Sequence, residues 1–140
     1  MNPAQTTLQD EKISVKLKLA ALWASLMFLY LYVDYFALYM PGKLDGILRG
    51  KIFVFEITQT FLLSALVSVS IPALMISLSV ILPAKINRWV NLVIAAIYIP
   101  FTLYNLAGEA WLHMVFAAIT EVMLLGLILV LAWKWQKMES

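Results

Sequence analysis

The chain has no cysteine. Disulfide exchange, thiolate catalysis and Cys-based zinc or iron–sulfur sites are therefore excluded. It has one histidine, His113, which excludes bis-histidine haem ligation within a monomer. Charge is scarce: 13% of residues are Asp, Glu, Lys or Arg, where a soluble domain carries about 25%. No basic run is long enough for a nucleic-acid interface. Nucleophile elbow, phosphate loop and dinucleotide fingerprint are all missing, and no residue pattern calls for a cofactor. The two-residue alternation of an outer-membrane barrel strand is missing too.

What fills the chain instead is hydrocarbon. Hydrophobic residues make up 64% of the 140, and the mean hydropathy is +0.91. Such a chain cannot cover itself with a solvated surface, so the lipid bilayer is part of its solvent. Four apolar stretches, about 19–40, 53–82, 89–107 and 110–133, leave no room for a separate soluble domain. A spanning helix needs roughly 20 apolar residues, and backbone polar groups in lipid must be satisfied within the segment. The expected fold is therefore all-α: a single transmembrane domain over residues 1–140, built as a four-helix bundle. The second stretch is long enough to tilt or to begin in the interface. The first follows Lys12, Lys16 and Lys18 as a signal peptide would, but its apolar core is too long and no A-x-A site follows, so it reads as a retained anchor.

Four spans place both termini on one side. That side collects seven basic residues (Lys12, Lys16, Lys18, Lys85, Arg88, Lys134, Lys137), and the other has three, Lys43, Arg49 and Lys51. The excess predicts that both termini lie in the cytoplasm. Trp23, Trp89, Trp133 and Trp135 mark the inner interface, and Tyr35, Tyr39, Tyr104 and Trp111 the outer one. The 41–51 loop, with Leu44, Ile47 and Leu48 between charges, reads as a short amphipathic turn on the membrane surface.

Helices in lipid associate through close packing and polar contacts. Ala20 with Ala24, Ala21 with Ser25, and Ala73 with Ser77 offer small residues at four-residue spacing. Asn91, Ala95, Tyr98, Thr102 and Asn105 form one helical stripe. Pro72 and Pro100 fall inside spans, where a proline can kink a helix and free a carbonyl.

The residues that hold chemistry are ionisable groups in or beside the spans. By helical rise, Asp34 lies about 9 Å below the outer end of the first span. Glu56, with Gln59 below it, stands at the outer start of the second, Asn105 closes the third, and Glu109 and His113 open the fourth one turn apart. Glu121 lies about 18 Å deeper than Glu109 on a continuous helix. Asp34, Glu56, Gln59, Asn105, Glu109, His113 and Glu121 together form the candidate ligand- or ion-binding set, mostly in the outer half of the membrane. Glu56 and Glu109 also suit a structural role as helix-start carboxylates favoured by the dipole. Asp34 and Glu121 are harder to explain structurally, because a charge at a helix centre costs roughly 2.5–3.5 kcal/mol on insertion scales.

Residues 16–44, KLKLAALWASLMFLYLYVDYFALYMPGKL, resemble the opening of an uncharacterised family of small bacterial membrane proteins. IPALMISLSVILPAKINRWVN (71–91) and ITEV (119–122) resemble its middle and end. The resemblance spans most of the chain. It implies a four-helix inner-membrane protein and no particular activity.

Three functional readings follow. The leading one is binding or translocation of a small cationic solute or proton through the outer-half acidic residues. The second is a non-catalytic membrane subunit that assembles with a partner protein or with further copies of itself. The third is a membrane enzyme using His113 and Glu109 as acid–base groups on a lipid-like substrate. The sequence favours a non-enzymatic role.

Overall fold

A computed structural model describes residues 8–135 of the chain. The elements run α1 (Val15–Ala37), α2 (Lys43–Leu48), β1 (Lys51–Ile52), β2 (Phe55–Glu56), α3 (Gln59–Ile81), α4 (Ala84–Tyr104) and α5 (Leu112–Trp133). Four of the helices, α1, α3, α4 and α5, are long and apolar enough to cross a membrane. The chain is an all-α four-helix transmembrane bundle. One end carries the start of α1, the α3–α4 turn and the end of α5, and is called the termini end here. The other end holds the two longer connections and is called the loop end.

Local signals explain the boundaries. Ser14 caps α1, its Oγ accepting from the Leu17 amide at 3.3 Å. Thr58 caps α3 in the same way, accepting from Phe61 at 3.1 Å. Such caps satisfy amides that have no partner inside the helix. Pro41 and Gly42 follow α1, and Gly42 takes φ +79°, the left-handed region open to glycine, to start α2. The predicted surface turn in the 41–51 loop is therefore a short helix.

The second span begins later than its apolar run. The run from Ile52 to Phe55 is β-branched and aromatic, and it forms a hairpin pairing Lys51 with Glu56 and Ile52 with Phe55. The helix starts only at Gln59, after the Thr58 cap. At 23 residues α3 is about 35 Å long, matching the other spanning helices in length. In contrast, α1 and α4 begin earlier than hydropathy indicates. Their first turns carry Lys16, Lys18, Lys85 and Arg88, and basic side chains extend a helix into the polar interface without ending it.

Around the bundle, α1 packs against α3 and α5, and α4 packs against α5. The α3 and α4 helices touch less, although a tight turn at Pro83 joins them. This order sets α1 and α4 on a diagonal. Leu19, Trp23, Leu26 and Tyr30 of α1 fill the middle with Met75, Ala95, Tyr98, Leu125 and Ile128. The small-residue pairs divide: Ala20 is buried, whereas Ala21, Ser25 and Ser77 are exposed, and Ser25 bonds its own helix at Ala21 O. Pro72 is buried within α3, and Pro100 lies on the exposed face of α4.

Candidate functional site

The polar residues of α4 supply the scaffold. Asn87, Asn91, Ala95, Tyr98 and Thr102 are its buried stripe. The stripe predicted from sequence runs one step further toward the termini end, to Asn87, and stops short of Asn105, which is exposed. Trp23 reaches across the diagonal and donates its indole N–H to Asn91 Oδ1 at 2.7 Å. Asn91 donates to Asn87 O and Asn87 Oδ1 at 2.9 and 2.7 Å, and Asn87 donates to Ser79 O at 2.6 Å. Nearer the loop end the Tyr30 and Thr102 hydroxyls share a hydrogen bond of 2.7 Å, and Tyr98 donates to Ser68 O. These contacts satisfy nearly every polar group in the core, as a buried network must.

Glu121 departs from that pattern. It faces inward on the α5 stripe with Ala117, Leu125 and Ile128, and it is 4% exposed. Its Oε1 is buried and has no hydrogen-bond partner. Tyr30 and Asp34 of α1 lie within electrostatic reach of its carboxyl. Asp34 is exposed, so the two acids run from the surface of the bundle to its interior. The helix α5 begins at Leu112, which puts Glu121 about 14 Å below the helix start, shallower than an unbroken helix from Glu109 implies.

The remaining predicted residues lie elsewhere. Glu56 sits on β2 and Gln59 in the first turn of α3, both exposed. Glu109 lies in the α4–α5 connection, three residues ahead of α5. Neither Glu56 nor Glu109 is thus a helix-start carboxylate, and Glu109 and His113 share no helical face. Glu109 pairs instead with Lys43, Nζ to Oε2 being 3.3 Å. The same Nζ lies 3.3 Å from the centre of the Phe53 ring. Phe53 takes φ +55°, uncommon for a bulky residue, and the lysine stacked on its ring helps hold it there. These groups line a cleft of about 280 Å³ at the loop end, with Lys51 and Trp111. The Tyr35 and Tyr39 hydroxyls are 2.9 Å apart, and that hydrogen bond holds the exposed Tyr39 phenol above its ordinary pKa.

His113 is half-buried, edge-on to Trp111 with ring centres 6.3 Å apart, and its Nε2 is buried without a partner. Among the described residues no three of His, Asp or Glu gather as a metal-ion site would require. The seven residues thus divide into a loop-end group, Glu56, Gln59, Asn105 and Glu109 exposed with His113 half-buried, and two acids deeper along the helices, exposed Asp34 and buried Glu121. Sequence reasoning missed Trp23, Tyr30 and Asn87 as polar partners. The seven-residue step from Trp23 to Tyr30, two turns along one face, was the available signal.

A spanning bundle with a hydrogen-bonded core and one unpartnered interior carboxyl defines a multi-pass membrane protein. The chain belongs to DUF6326, a family of unknown function, which matches residues 9–140. No curated protein and no solved structure matches it.

Proposed function

We propose that this protein binds a proton or a small monovalent cation at Glu121 and passes it to or from Asp34, in a bacterial inner membrane with both termini in the cytoplasm. The observation that carries the reading is the buried, unpartnered Glu121 Oε1. A carboxylate in such a place needs a counter-ion, and among the described residues no cationic side chain is buried in the core. A proton or a small cation meets that need. Asp34 provides the exposed end of the path, and the Tyr30 hydroxyl, hydrogen-bonded to Thr102, lies within electrostatic reach of Glu121. Ionisable groups inside spans are functional candidates by default.

The orientation is supported by charge. Lys12, Lys16, Lys18, Lys85, Arg88 and Lys134 belong to the termini end; Lys137 lies outside the described residues. The absence of cysteine makes the test clean, because a single introduced thiol is the only one present. Asp45→Cys should react with an impermeant maleimide added to intact cells, and Ser14→Cys only after lysis. The reverse pattern would overturn the orientation.

Purified protein in liposomes with an internal pH dye, under an imposed sodium or potassium gradient, tests the activity. Wild type should move protons or the cation, and Glu121→Gln should abolish the signal while keeping the helical circular dichroism. Asp34→Asn should slow it. Equal flux from wild type and Glu121→Gln would sink the proposal.

One observation favours the subunit reading as the runner-up. Only 11% of the apolar window of α3 is buried, against 28% in each of the other three spanning helices. A partner protein would cover that helix, and its stoichiometric copurification after gentle solubilisation would support this reading. The acid–base enzyme has no such support, since Glu109 is paired with Lys43 and lies outside the helix that carries His113.

A further inference from the structure

A second depression, a groove of about 550 Å³, lies on the lipid side, between α4 and α5 and lined by apolar side chains. Its α4 wall is Trp89, Leu92, Val93 and Ala96, and its α5 wall ends at Trp133 and Lys134. The steps on α4 from Trp89 to Ala96 cover two turns, about 10 Å along the membrane normal. The smallest wall residue, Ala96, stands at the deep end, and the two indoles flank the mouth at the termini end. Tryptophan prefers the headgroup level of a bilayer, so the groove opens at the headgroups and extends into the acyl region.

The mouth is cationic. Lys134 lines it, and Lys85 lies one turn ahead of Trp89 on α4. Arg88 holds the two helices together there. Its Nε donates to Ala132 O at 3.1 Å and its Nη2 to Trp133 O at 3.2 Å. Its guanidinium lies 6.0 and 5.8 Å from the Trp89 and Trp133 ring centres. The carboxylates Asp34, Asp45, Glu56, Glu109 and Glu121 all lie in the membrane interior or at the loop end. Among the described residues, the only acids on the termini end are Asp10 and Glu11, ahead of α1.

We propose that this groove is a binding site for one acyl chain of an anionic phospholipid, whose phosphate is held by Lys134 and Lys85 at the mouth. Basic pockets between spanning helices select anionic headgroups in this manner. Apolar walls hold the chain, and the two lysines supply the preference for negative charge. Arg88 positions the Trp133 wall and contributes to the local positive field. The site is separate from Glu121 and does not depend on its role.

Tryptophan quenching by brominated lipid tests the site. The protein is placed in vesicles of phosphatidylcholine in which a minor fraction is either dibromo-phosphatidylglycerol or dibromo-phosphatidylcholine. The phosphatidylglycerol should quench Trp89 and Trp133 at a concentration lower on the order of tenfold, given two lysines at the surface. Lys85→Gln with Lys134→Gln should erase the difference between the lipids. Ala96→Phe, which fills the deep end, should weaken the preferential quenching while leaving the charge unchanged. Equal quenching of wild type by both lipids would overturn the proposal. So would a Trp pair shielded from both lipids in a protein that native mass spectrometry finds as a dimer, because a second copy would then occupy the groove. The double lysine variant changes only exposed side chains, so the test survives if Ala96→Phe fails to fold.

Discussion

At the scale of single residues, the core separates groups that hold the bundle from the group left free to act. Trp23 makes one hydrogen bond, to an asparagine that also bonds Asn87. Trp23→Phe should therefore cost about 1 kcal/mol, within the range of interhelical hydrogen bonds in membranes. Asn91→Ala should cost more, about 2 kcal/mol, because it strands the Trp23 N–H and loosens Asn87. Thermal unfolding in one detergent compares the two, and an Asn91→Ala protein as stable as Trp23→Phe would count against the network. Glu121 has no bond to lose, so Glu121→Gln should leave the unfolding temperature unchanged or raise it. The Lys43–Glu109 pair is half-exposed, and Glu109→Gln should shift stability by less than about 1 kcal/mol.

At the scale of elements, boundaries follow capping and turn chemistry more closely than hydropathy. The hairpin at residues 51–56 is apolar enough to read as the start of a span, but Gly50 at φ +76° and the Thr58 cap assign it to the loop end. That shift of register is why Glu56 is a surface residue. Gly42 offers a test that isolates the backbone, because nothing lies within 4 Å of an added Cβ. Gly42→Ala should still destabilise the α1–α2 turn by about 1–2 kcal/mol, the cost of a left-handed conformation for an L-residue. An unfolding midpoint equal to wild type would refute the assigned turn. The Asn91, Ala95, Tyr98 and Thr102 stripe was legible beforehand, since a helical period leaves polar residues on one face. Asn105 departs from it because α4 ends at Tyr104.

At the scale of the whole molecule, neighbour order decides what the charged residues do. With α1 and α4 on a diagonal, the long side chains Trp23 and Tyr30 reach between them. The α5 helix lies between those two, which brings Glu121 toward Asp34 and Tyr30. The sequence by itself determined the solvent, the number of spans and the excess of cations at one end, because hydropathy and charge add residue by residue along the chain. It also supplied the set of acids. Only the tertiary structure divided that set into a surface pair, Lys43 with Glu109, and an interior carboxyl with no partner. Pairing depends on distance between residues more than sixty positions apart, and that distance is decided by which helices pack together.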